Sequence, residues 1–241
     1  MKMIVLKRAW LKRAVRSRPT IVISDLHENS AGPQDNCQGD LLCAFLLRFA
    51  PREYDLIIAG DRYDRQEEPN GAAIYAHNER LERIIARFFT LDLPGNHDDV
   101  PGAFYTELDF HELGLFIWHG NQLDPACRGR GTLGRIAARA WGGLERLGLG
   151  RPLAGVKRAV VRAADRRIQT ASKRNDGNDV YLADAMRRDL DLYIFGHTHR
   201  PELIEWGDGR ILANCGCWTN KGRGCAVLVN GLEVILLEVT E

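Results

Sequence analysis

Five short apolar runs rich in β-branched residues alternate with helical patterns, and this alternation constrains the fold of the chain more than any other feature. Each run is short enough, and sufficiently apolar, to predict a buried strand. Strands that alternate with helices are typical of βαβ units, so the sequence predicts an α/β chain with a largely parallel sheet. The five runs are residues 20–24, 55–59, 88–93, 115–119 and 192–196.

Two segments between these strands carry a helical pattern. Residues 38–49 and 72–87 each place apolar side chains at helical spacing, which predicts amphipathic helices. The end of the chain differs, because four strands follow one another with glycine-containing turns that are typical of an antiparallel meander. These strands are predicted at residues 203–206, 210–213, 226–229 and 232–239.

The overall composition is that of an ordinary globular protein. The chain has 241 residues, of which 45% are hydrophobic and 27% are charged. This length fits a single domain over residues 1–241. No apolar run approaches the ~18 residues that a membrane-spanning helix needs, and the sequence therefore predicts a cytoplasmic protein. The six cysteines show no zinc-site spacing, so we expect them to be reduced and free of metal.

Positive charge is concentrated in two segments. Residues 1–18 hold seven basic residues and no acid, and residues 128–174 hold thirteen basic residues and two acids, although the net charge of the whole chain is only +1. Such segregation predicts an anionic partner, which is an acidic substrate, the inner face of the membrane or nucleic acid. Residues 5–15 fit either an amphipathic helix lying on a membrane surface or an ordinary basic helix.

Residues 127–175 interrupt the alternation of strands and helices. They are rich in Arg, Ala and Gly, and their apolar side chains follow helical spacing on both sides of residues 148–152. This pattern predicts a basic helical hairpin inserted between two strands. A solvated helix pair packed on the domain is the plain alternative. The two acids leave few i,i+4 ion pairs, which favours a role toward an anionic ligand.

Five fragments that contain Asp, Asn or His follow the five predicted parallel strands. Ligands bind beyond the carboxyl ends of the strands in open α/β sheets, so these fragments are expected to meet at one site. Their oxygen and imidazole donors suit Mn, Fe or Zn better than Mg or Ca. The fragments are Ser24-Asp25-Leu26-His27, Gly60-Asp61-Arg62-Tyr63-Asp64, Gly95-Asn96-His97-Asp98, His119-Gly120 and Gly196-His197-Thr198-His199.

The spacing of these donors predicts two divalent ions, with Mn²⁺ favoured. Asp25 and His27 are two residues apart, so one turn directs both toward one ion. His197 and His199 have the same spacing and are placed to serve two neighbouring ions, which the Asp61 carboxylate bridges. Two ions ~3.5–4 Å apart activate a water as hydroxide and hold the attacking and leaving oxygens of a phosphoryl transfer.

The motifs DLH, GDRYD, GNHD, HG and GHTH, in this order between residues 24 and 200, resemble those of the calcineurin-like metallophosphoesterase superfamily. The resemblance implies a four-layer αββα sandwich, in which helices flank two β-sheets and residues 127–175 form a helical lid. It also implies two ligand sets that share one carboxylate. The first set is Asp25, His27, Asp61 and His199, and the second is Asp61, Asn96, His119 and His197.

The resemblance further implies roles for residues beside the ions. His97 contacts the substrate phosphate or protonates the leaving oxygen, and Asp64 orients His97. Asn96 is expected to contact substrate as well as metal. Arg200 is a candidate for a phosphate contact, with a plain surface role as the alternative. Asp98 is expected either to support a ligand or to serve only as a turn residue.

The order GHTHRP over residues 196–201, followed by NCGCW over residues 214–218, is similar to the UDP-2,3-diacylglucosamine pyrophosphatase branch of lipid A biosynthesis. This similarity implies hydrolysis of a lipid-linked diphosphate to UMP and lipid X. His97, Glu28 and Asn121 depart from that branch, which often has Arg, an apolar residue and Asp there. The departures leave the substrate open.

Two alternative functions therefore stay in view. One is a phosphodiesterase or phosphatase acting on nucleotides, nucleic acid or phosphoprotein. Nucleic acid is the less favoured of these, because the sequence shows no stacking platform of interleaved aromatic residues. The other alternative is a non-catalytic metal-binding scaffold, against which the complete ligand set argues.

Overall fold

Two β-sheets and four α-helices make up the computed structural model, which describes residues 1–30, 37–65, 68, 70–98, 107–123 and 179–241. The helices are α1 (Gly39–Leu46), α2 (Gly71–His77), α3 (Glu79–Ile85) and α4 (Asp179–Arg188). The strands are β1 (Lys2–Trp10), β2 (Thr20–Ile23), β3 (Asp55–Ala59), β4 (Phe89–Leu93), β5 (Glu107–Phe110), β6 (Leu115–Trp118), β7 (Leu192–Phe195), β8 (Glu202–Glu205), β9 (Ile211–Asn214), β10 (Arg223–Asn230) and β11 (Glu233–Thr240).

Both sheets combine parallel and antiparallel strands, with the parallel strands at one edge of the first sheet and at the centre of the second. The first sheet has the order β1-β11-β10-β2-β3-β4, and the second has the order β5-β6-β7-β9-β8. Strands β2, β3 and β4 are parallel, as are β6, β7 and β9. The five predicted parallel strands are all present, three in the first sheet and two in the second. Their carboxyl ends therefore belong to both sheets.

Strands β2, β3, β6 and β7 are buried on both faces, which explains why their sequences are almost continuously apolar. Alternate residues of the two sheets, such as Val22 and Ile194, form the core between the sheets. The other face of the first sheet packs on α1 and α3, with Phe45 among the fully buried side chains. The outer face of the second sheet packs on α4, where Tyr181 stacks on Phe195 with ring centroids 4.2 Å apart.

This arrangement confirms the predicted αββα layers and α/β class. The predicted helices are also present, although the second of them is divided at Asn78 into α2 and α3. The predicted helical lid over residues 127–175 lies outside the described residues. Within the described ranges, no helix is long and apolar enough to span a membrane.

The prediction of an N-terminal helix over residues 5–15 is wrong. Residues 2–10 form β1, which pairs antiparallel with β11 at the other end of the chain. Mixed apolar and basic residues fit a helix or an edge strand equally well, and pairing with a distant strand decided between them. Internal acids also neutralise part of the basic segment, because Arg13 pairs with Asp191 at 2.6 Å and Arg16 pairs with Asp55 at 2.5 Å.

The predicted C-terminal meander is also wrong as one unit. Strands β8 and β9 form an antiparallel pair in the second sheet, where β9 also lies parallel to β7. Strands β10 and β11 form a hairpin in the first sheet, and Gly231 in its turn has a φ of +61°. The local turn chemistry identified both hairpins, but it carries no information about which sheet each hairpin joins.

We expect Gly224→Ala to destabilise the protein by about 1–3 kcal/mol. The backbone of Gly224 on β10 lies against the fully buried Trp218 ring, and an added Cβ would overlap that ring. Trp218 is itself packed on Phe45, with ring centroids 5.4 Å apart, so it has little room to move. The measurement is urea denaturation of the metal-free protein.

Gly207→Ala is the matched control for this substitution. It lies in the turn between β8 and β9, and an added Cβ would meet nothing within 4 Å. Its effect on the free energy of unfolding is expected to stay within about 0.5 kcal/mol. Equal stabilities of the two variants would contradict the packing argument.

Candidate metal centre

The loops after five parallel strands meet at one edge of the sandwich and are tied together by backbone hydrogen bonds. The amide of Asp25 donates to the carbonyl of Gly60 at 3.1 Å, and the amide of His27 donates to the carbonyl of Asp61 at 3.0 Å. Within the second sheet the amide of Gly196 donates to the carbonyl of His119 at 3.2 Å, and the amide of His197 joins this sheet to the first by donating to the Asp25 carboxylate at 2.8 Å. The sequence fragments are therefore neighbours in space, as their positions predicted.

The backbone around these residues is strained in a way that directs their side chains. Among the described non-glycine residues, six have a positive φ, a conformation that costs about 1–3 kcal/mol at each residue. Five of the six belong to the predicted ligand sets. Such tight turns let residues two apart in sequence face the same point. These five are Asp25, His27, Asp61, His197 and His199.

One group of donors consists of Asp25, His27 and His199. The Nε2 of His199 lies 3.0 Å from Oδ1 of Asp25, and the Nε2 of His27 lies 3.8 Å from the same oxygen. His27 Nε2 also lies 3.7 Å from Oδ2 of Asp61. The first predicted ligand set is thus brought together, with the Asp61 carboxylate at its border.

A second group consists of Asp61, His119 and His197. His119 Nε2 lies 3.2 Å from Oδ2 of Asp61, and Nδ1 of His197 lies 3.3 Å from the same imidazole nitrogen. Asn96 joins them, with its Oδ1 at 3.3 Å from His119 Nε2. The same Asp61 oxygen therefore faces histidines of both groups, which is the position expected of a shared ligand.

The donor chemistry of this site fits bound cations. In the part of the chain that the structure describes, Asp25 Oδ1 and His27 Nε2 are buried and, apart from the charged contacts among these same donors, have no well-aligned hydrogen-bond partner. Unsatisfied buried polar atoms are costly, and two of them facing each other are what a missing cation would satisfy. Nδ1 of His119 faces the carbonyl of Ala59 at 3.0 Å, which leaves its Nε2 to act as a ligand.

The carboxylates and imidazoles hold one another as ion pairs when no metal is present. Although burial opposes both shifts, His119 holds the pKa values of Asp25 and Asp61 well below their usual range. Burial also opposes the charged imidazoles, but Asp61 and Asp25 raise the pKa of His119 to about 9. Asp25 likewise raises the pKa of His199 to about 10. Both imidazoles are therefore protonated at pH 7 in the metal-free protein.

Metal binding is expected to release these protons, because only a neutral imidazole ligates. Titrating the metal-free protein with Mn²⁺ at pH 7 should release close to two protons per chain, and the apparent Kd should fall as pH rises toward 9. Calorimetry in buffers of different ionisation enthalpy measures the proton count. His119→Asn should lower that count by one, whereas a count near zero for the unsubstituted protein would contradict the assignment.

The same shifts set the pH dependence of stability without metal. A raised imidazole pKa stabilises the fold fully below the unfolded value of about 6.5. That contribution is lost as pH rises through about 9 and 10, the folded values for His119 and His199. We therefore expect the free energy of unfolding of the metal-free protein to decline across this alkaline range.

Comparison with known proteins places these motifs in a family. The sequence profile described as calcineurin-like phosphoesterase matches residues 18–201. The chain belongs to this family. All five motif fragments lie within the matched range, so the predicted superfamily and the prediction of a hydrolase acting on phosphoric esters or diphosphates are confirmed.

One curated protein and two solved structures are examples of what this phosphoesterase is similar to. UDP-2,3-diacylglucosamine hydrolase of Xanthomonas campestris pv. campestris (strain B100) is 29% identical over 252 residues, covering 89% of this chain and 97% of the relative. Vps29 of Chaetomium thermophilum is 14% identical, with a TM-score of 0.46 and coverage of 92% of this chain and 88% of that chain. Zinc-complexed Vps29 of Entamoeba histolytica is 18% identical, with a TM-score of 0.45 and coverage of 92% of each chain.

His97 and Asp64 of this phosphoesterase form a pair beside the metal groups. Nδ1 of His97 lies 3.1 Å from Oδ1 of Asp64, and the backbone amide of His97 donates to Asp61 at 2.8 Å. Burial disfavours the protonated imidazole of His97, but the hydrogen bond with Asp64 raises its pKa nevertheless. The His97 ring also lies edge-on to His27, with centroids 4.6 Å apart. The predicted pair is therefore assembled at the border of the first group.

The remaining sequence candidates differ in their surroundings. Asp98 is buried and accepts hydrogen bonds from the amides of Tyr63 at 2.7 Å and Gly95 at 2.6 Å, so it ties two ligand loops together. Burial raises the pKa of Asp98 to about 6. Arg200 is exposed, and its contact with substrate stays a prediction.

The sequence analysis missed Cys217, which lies beside the ligand candidate His199. Burial disfavours the thiolate of Cys217, but a hydrogen bond with His199 lowers the pKa of this thiol nevertheless. Thr219 and Asn220 also donate to its sulfur, at 3.4 Å and 3.3 Å. None of the five described cysteines forms a disulfide with another of them, and Cys127 lies outside the described residues. The NCGCW fragment contains Cys217, but no short-range pattern linked it to His199, because the two residues are eighteen positions apart.

Proposed function

We propose that this phosphoesterase uses two divalent metal ions to hydrolyse a diphosphate or phosphodiester bond. The observation that carries the proposal is the pair of donor groups that share the carboxylate of Asp61. Mn²⁺ is the proposed ion, with Fe and Zn as the alternatives, because the donors are imidazoles, carboxylates and an amide. When bound, two such metal ions lower the pKa of a water molecule and stabilise charge on the phosphoryl group.

The proposed roles of the residues follow the two groups. Asp25, His27 and His199 hold one ion, Asn96, His119 and His197 hold the other, and Asp61 contacts both. His97 donates a proton to the leaving oxygen, and Asp64 orients its imidazole through the 3.1 Å contact. Asn96 and Arg200 contact the phosphate of the substrate.

The proposed substrate is UDP-2,3-diacylglucosamine, cleaved to UMP and lipid X. It is supported by the similarity to the Xanthomonas hydrolase over 89% of the chain and by the motif order of residues 196–218. The basic insertion also suits an anionic, lipid-linked diphosphate. Such a substrate would bring the protein, proposed as cytoplasmic, to the inner face of the membrane.

Product analysis tests this proposal. The Mn²⁺-loaded protein is incubated with UDP-2,3-diacylglucosamine and, separately, with bis(p-nitrophenyl) phosphate. Equal amounts of UMP and lipid X support the proposed substrate. Turnover of the generic diester alone would direct attention to nucleotides, nucleic acid or phosphoprotein, and bound metal without turnover of either compound would indicate a scaffold.

We further propose that residues 127–175, which lie outside the described residues, act as a substrate lid. The basis is the sequence, in which residues 128–174 have thirteen basic residues and only two acids. Deleting residues 128–174, or replacing Arg135, Arg139 and Arg146 with Gln, is expected to raise KM for the lipid-linked substrate severalfold. Turnover of bis(p-nitrophenyl) phosphate should be spared, and equal losses on both substrates would mean that the segment is structural.

A further inference from the structure

Arg62 directly follows the shared candidate ligand Asp61, and its side chain is buried among three carboxylates. Its Nη2 lies 2.5 Å from Glu82, its Nη1 lies 2.6 Å from Asp92, and its Nε lies 3.4 Å from Glu28. Arg62 is 7% exposed and Glu28 is fully buried. One guanidinium therefore joins three acids that come from three different segments of the chain.

Two of these acids lie on segments that carry candidate metal ligands. Glu28 is the residue after His27, and Asp92 lies on β4, four residues before Asn96. Arg62 itself extends the loop of Asp61. The guanidinium thus connects the loops that carry the ligands of both proposed ions. Glu82, which lies on α3, attaches this network to the helical layer.

The backbone and a neighbouring tyrosine reinforce this connection. The amide of Glu28 donates to the carbonyl of Arg62 at 2.8 Å, and the amide of Asp64 donates back to the carbonyl of Glu28 at 3.0 Å. The hydroxyl of Tyr63 donates to Glu82 at 3.0 Å, and the guanidinium of Arg62 lies 4.8 Å from the centroid of the Tyr63 ring. The first two ligand loops are therefore held to each other at several points.

Stability alone does not account for such a network. Removing buried charges from water costs about as much as their attraction returns, so well-packed apolar residues would serve stability equally well. The guanidinium instead offers five donors in a planar fork of fixed geometry. A fork that binds several acceptors at once fixes the distances between the segments that carry them. Those distances decide whether ligands from separate strands converge on one ion.

We propose that Arg62 is a positioning residue of the metal centre, which holds the loops of His27, Asp61 and Asn96 in the spacing that metal binding requires. The inference rests on the proposed two-metal function. Groups that support metal ligands from behind typically change metal affinity or activity by about 10–100-fold when they are substituted. Loss of Arg62 is expected to weaken metal binding by an amount in that range.

The test compares Mn²⁺ affinity, measured by calorimetry, in the wild-type protein, Arg62→Lys and Arg62→Met. Lysine keeps the positive charge but lacks the fork, so both variants are expected to bind Mn²⁺ about 10–100-fold more weakly. Activity at low Mn²⁺ should fall accordingly and recover partly at saturating Mn²⁺. Glu82→Gln preserves the shape of the network and should weaken binding in the same direction, which covers the case in which Arg62→Met does not fold.

Arg16→Lys and Arg16→Met are the matched controls. Arg16 forms a comparable ion pair with Asp55, a largely buried residue at the opposite end of β3. These controls are expected to lower thermal stability without changing the Kd for Mn²⁺. Wild-type affinity in Arg62→Lys or in Glu82→Gln, or equal losses in the Arg16 controls, would overturn the positioning role. A wild-type protein that binds none of Mn²⁺, Fe²⁺ and Zn²⁺ would instead overturn the proposed two-metal function, and the positioning role with it.

Discussion

Asp61→Ala is expected to abolish phosphodiester turnover and to weaken both metal sites. One oxygen of Asp61 faces His27 and His119, which belong to different donor groups. In the proposed two-metal centre, removing this carboxylate would therefore affect both ions, whereas removing any other ligand would affect one. A bound metal supplies several kcal/mol of transition-state stabilisation. At ~1.4 kcal/mol per factor of ten, the loss in kcat corresponds to about 10³-fold or more.

Metal content and turnover are both needed to interpret this variant. Metal analysis after dialysis against Mn²⁺ should show substoichiometric metal in Asp61→Ala and two ions in the wild-type protein. Asp109→Ala is the control, because Asp109 is an exposed acid on β5 and lies outside the donor groups. An Asp61→Ala protein with two ions per chain and nearly normal turnover would rule out the shared-ligand assignment.

His97→Ala is expected to lower kcat by about 10²–10⁴-fold for a diester with a poor leaving group, the range typical of general acid catalysis. His97 faces Asp64 at 3.1 Å, and this contact raises the pKa of the imidazole. The raised pKa favours the protonated form of His97, which is the form that can donate a proton to the leaving oxygen. With p-nitrophenolate as the leaving group little protonation is needed, so the loss should be much smaller.

The ratio of the two losses separates the acid role from simple phosphate binding. Metal content should be unchanged in His97→Ala, and Asp64→Asn should show the same dependence on the leaving group more weakly. His77→Ala serves as the control, because His77 lies exposed at the end of α2. Equal losses on good and poor leaving groups would mean that His97 only binds the phosphate.

The local pattern of the chain predicted the α/β class and the strands whose ends carry the candidate donors, and the family resemblance implied the αββα layers. Parallel strands such as Ile21–Ile23 and Leu56–Ala59 are continuously apolar because both faces are buried, and the polar residues directly after them lie at the edge where strand ends meet. The identity and order of the motifs then predict that Asp25, Asp61 and His119 meet at one point.

Several features depended on contacts between residues far apart in the chain. Strand β1 formed because β11, more than two hundred residues later, offered an edge for pairing, and no local signal distinguishes that outcome from a basic helix. The division of β8–β11 between two sheets has the same origin. Sheet membership is decided by which buried face a hairpin covers, and turn residues do not encode it.

The sequence by its residue types predicted which donors a metal would bind, but the folded chain decided how they are held. The left-handed backbone at Asp25 and Asp61 is tolerated because surrounding hydrogen bonds maintain it. The presence of an aspartate in the sequence does not predict this conformation. Arg62 acquired three carboxylate partners, and Cys217 a histidine, only through folding. These contacts join separate strands and helices, so their energies depend on packing that no window of sequence contains.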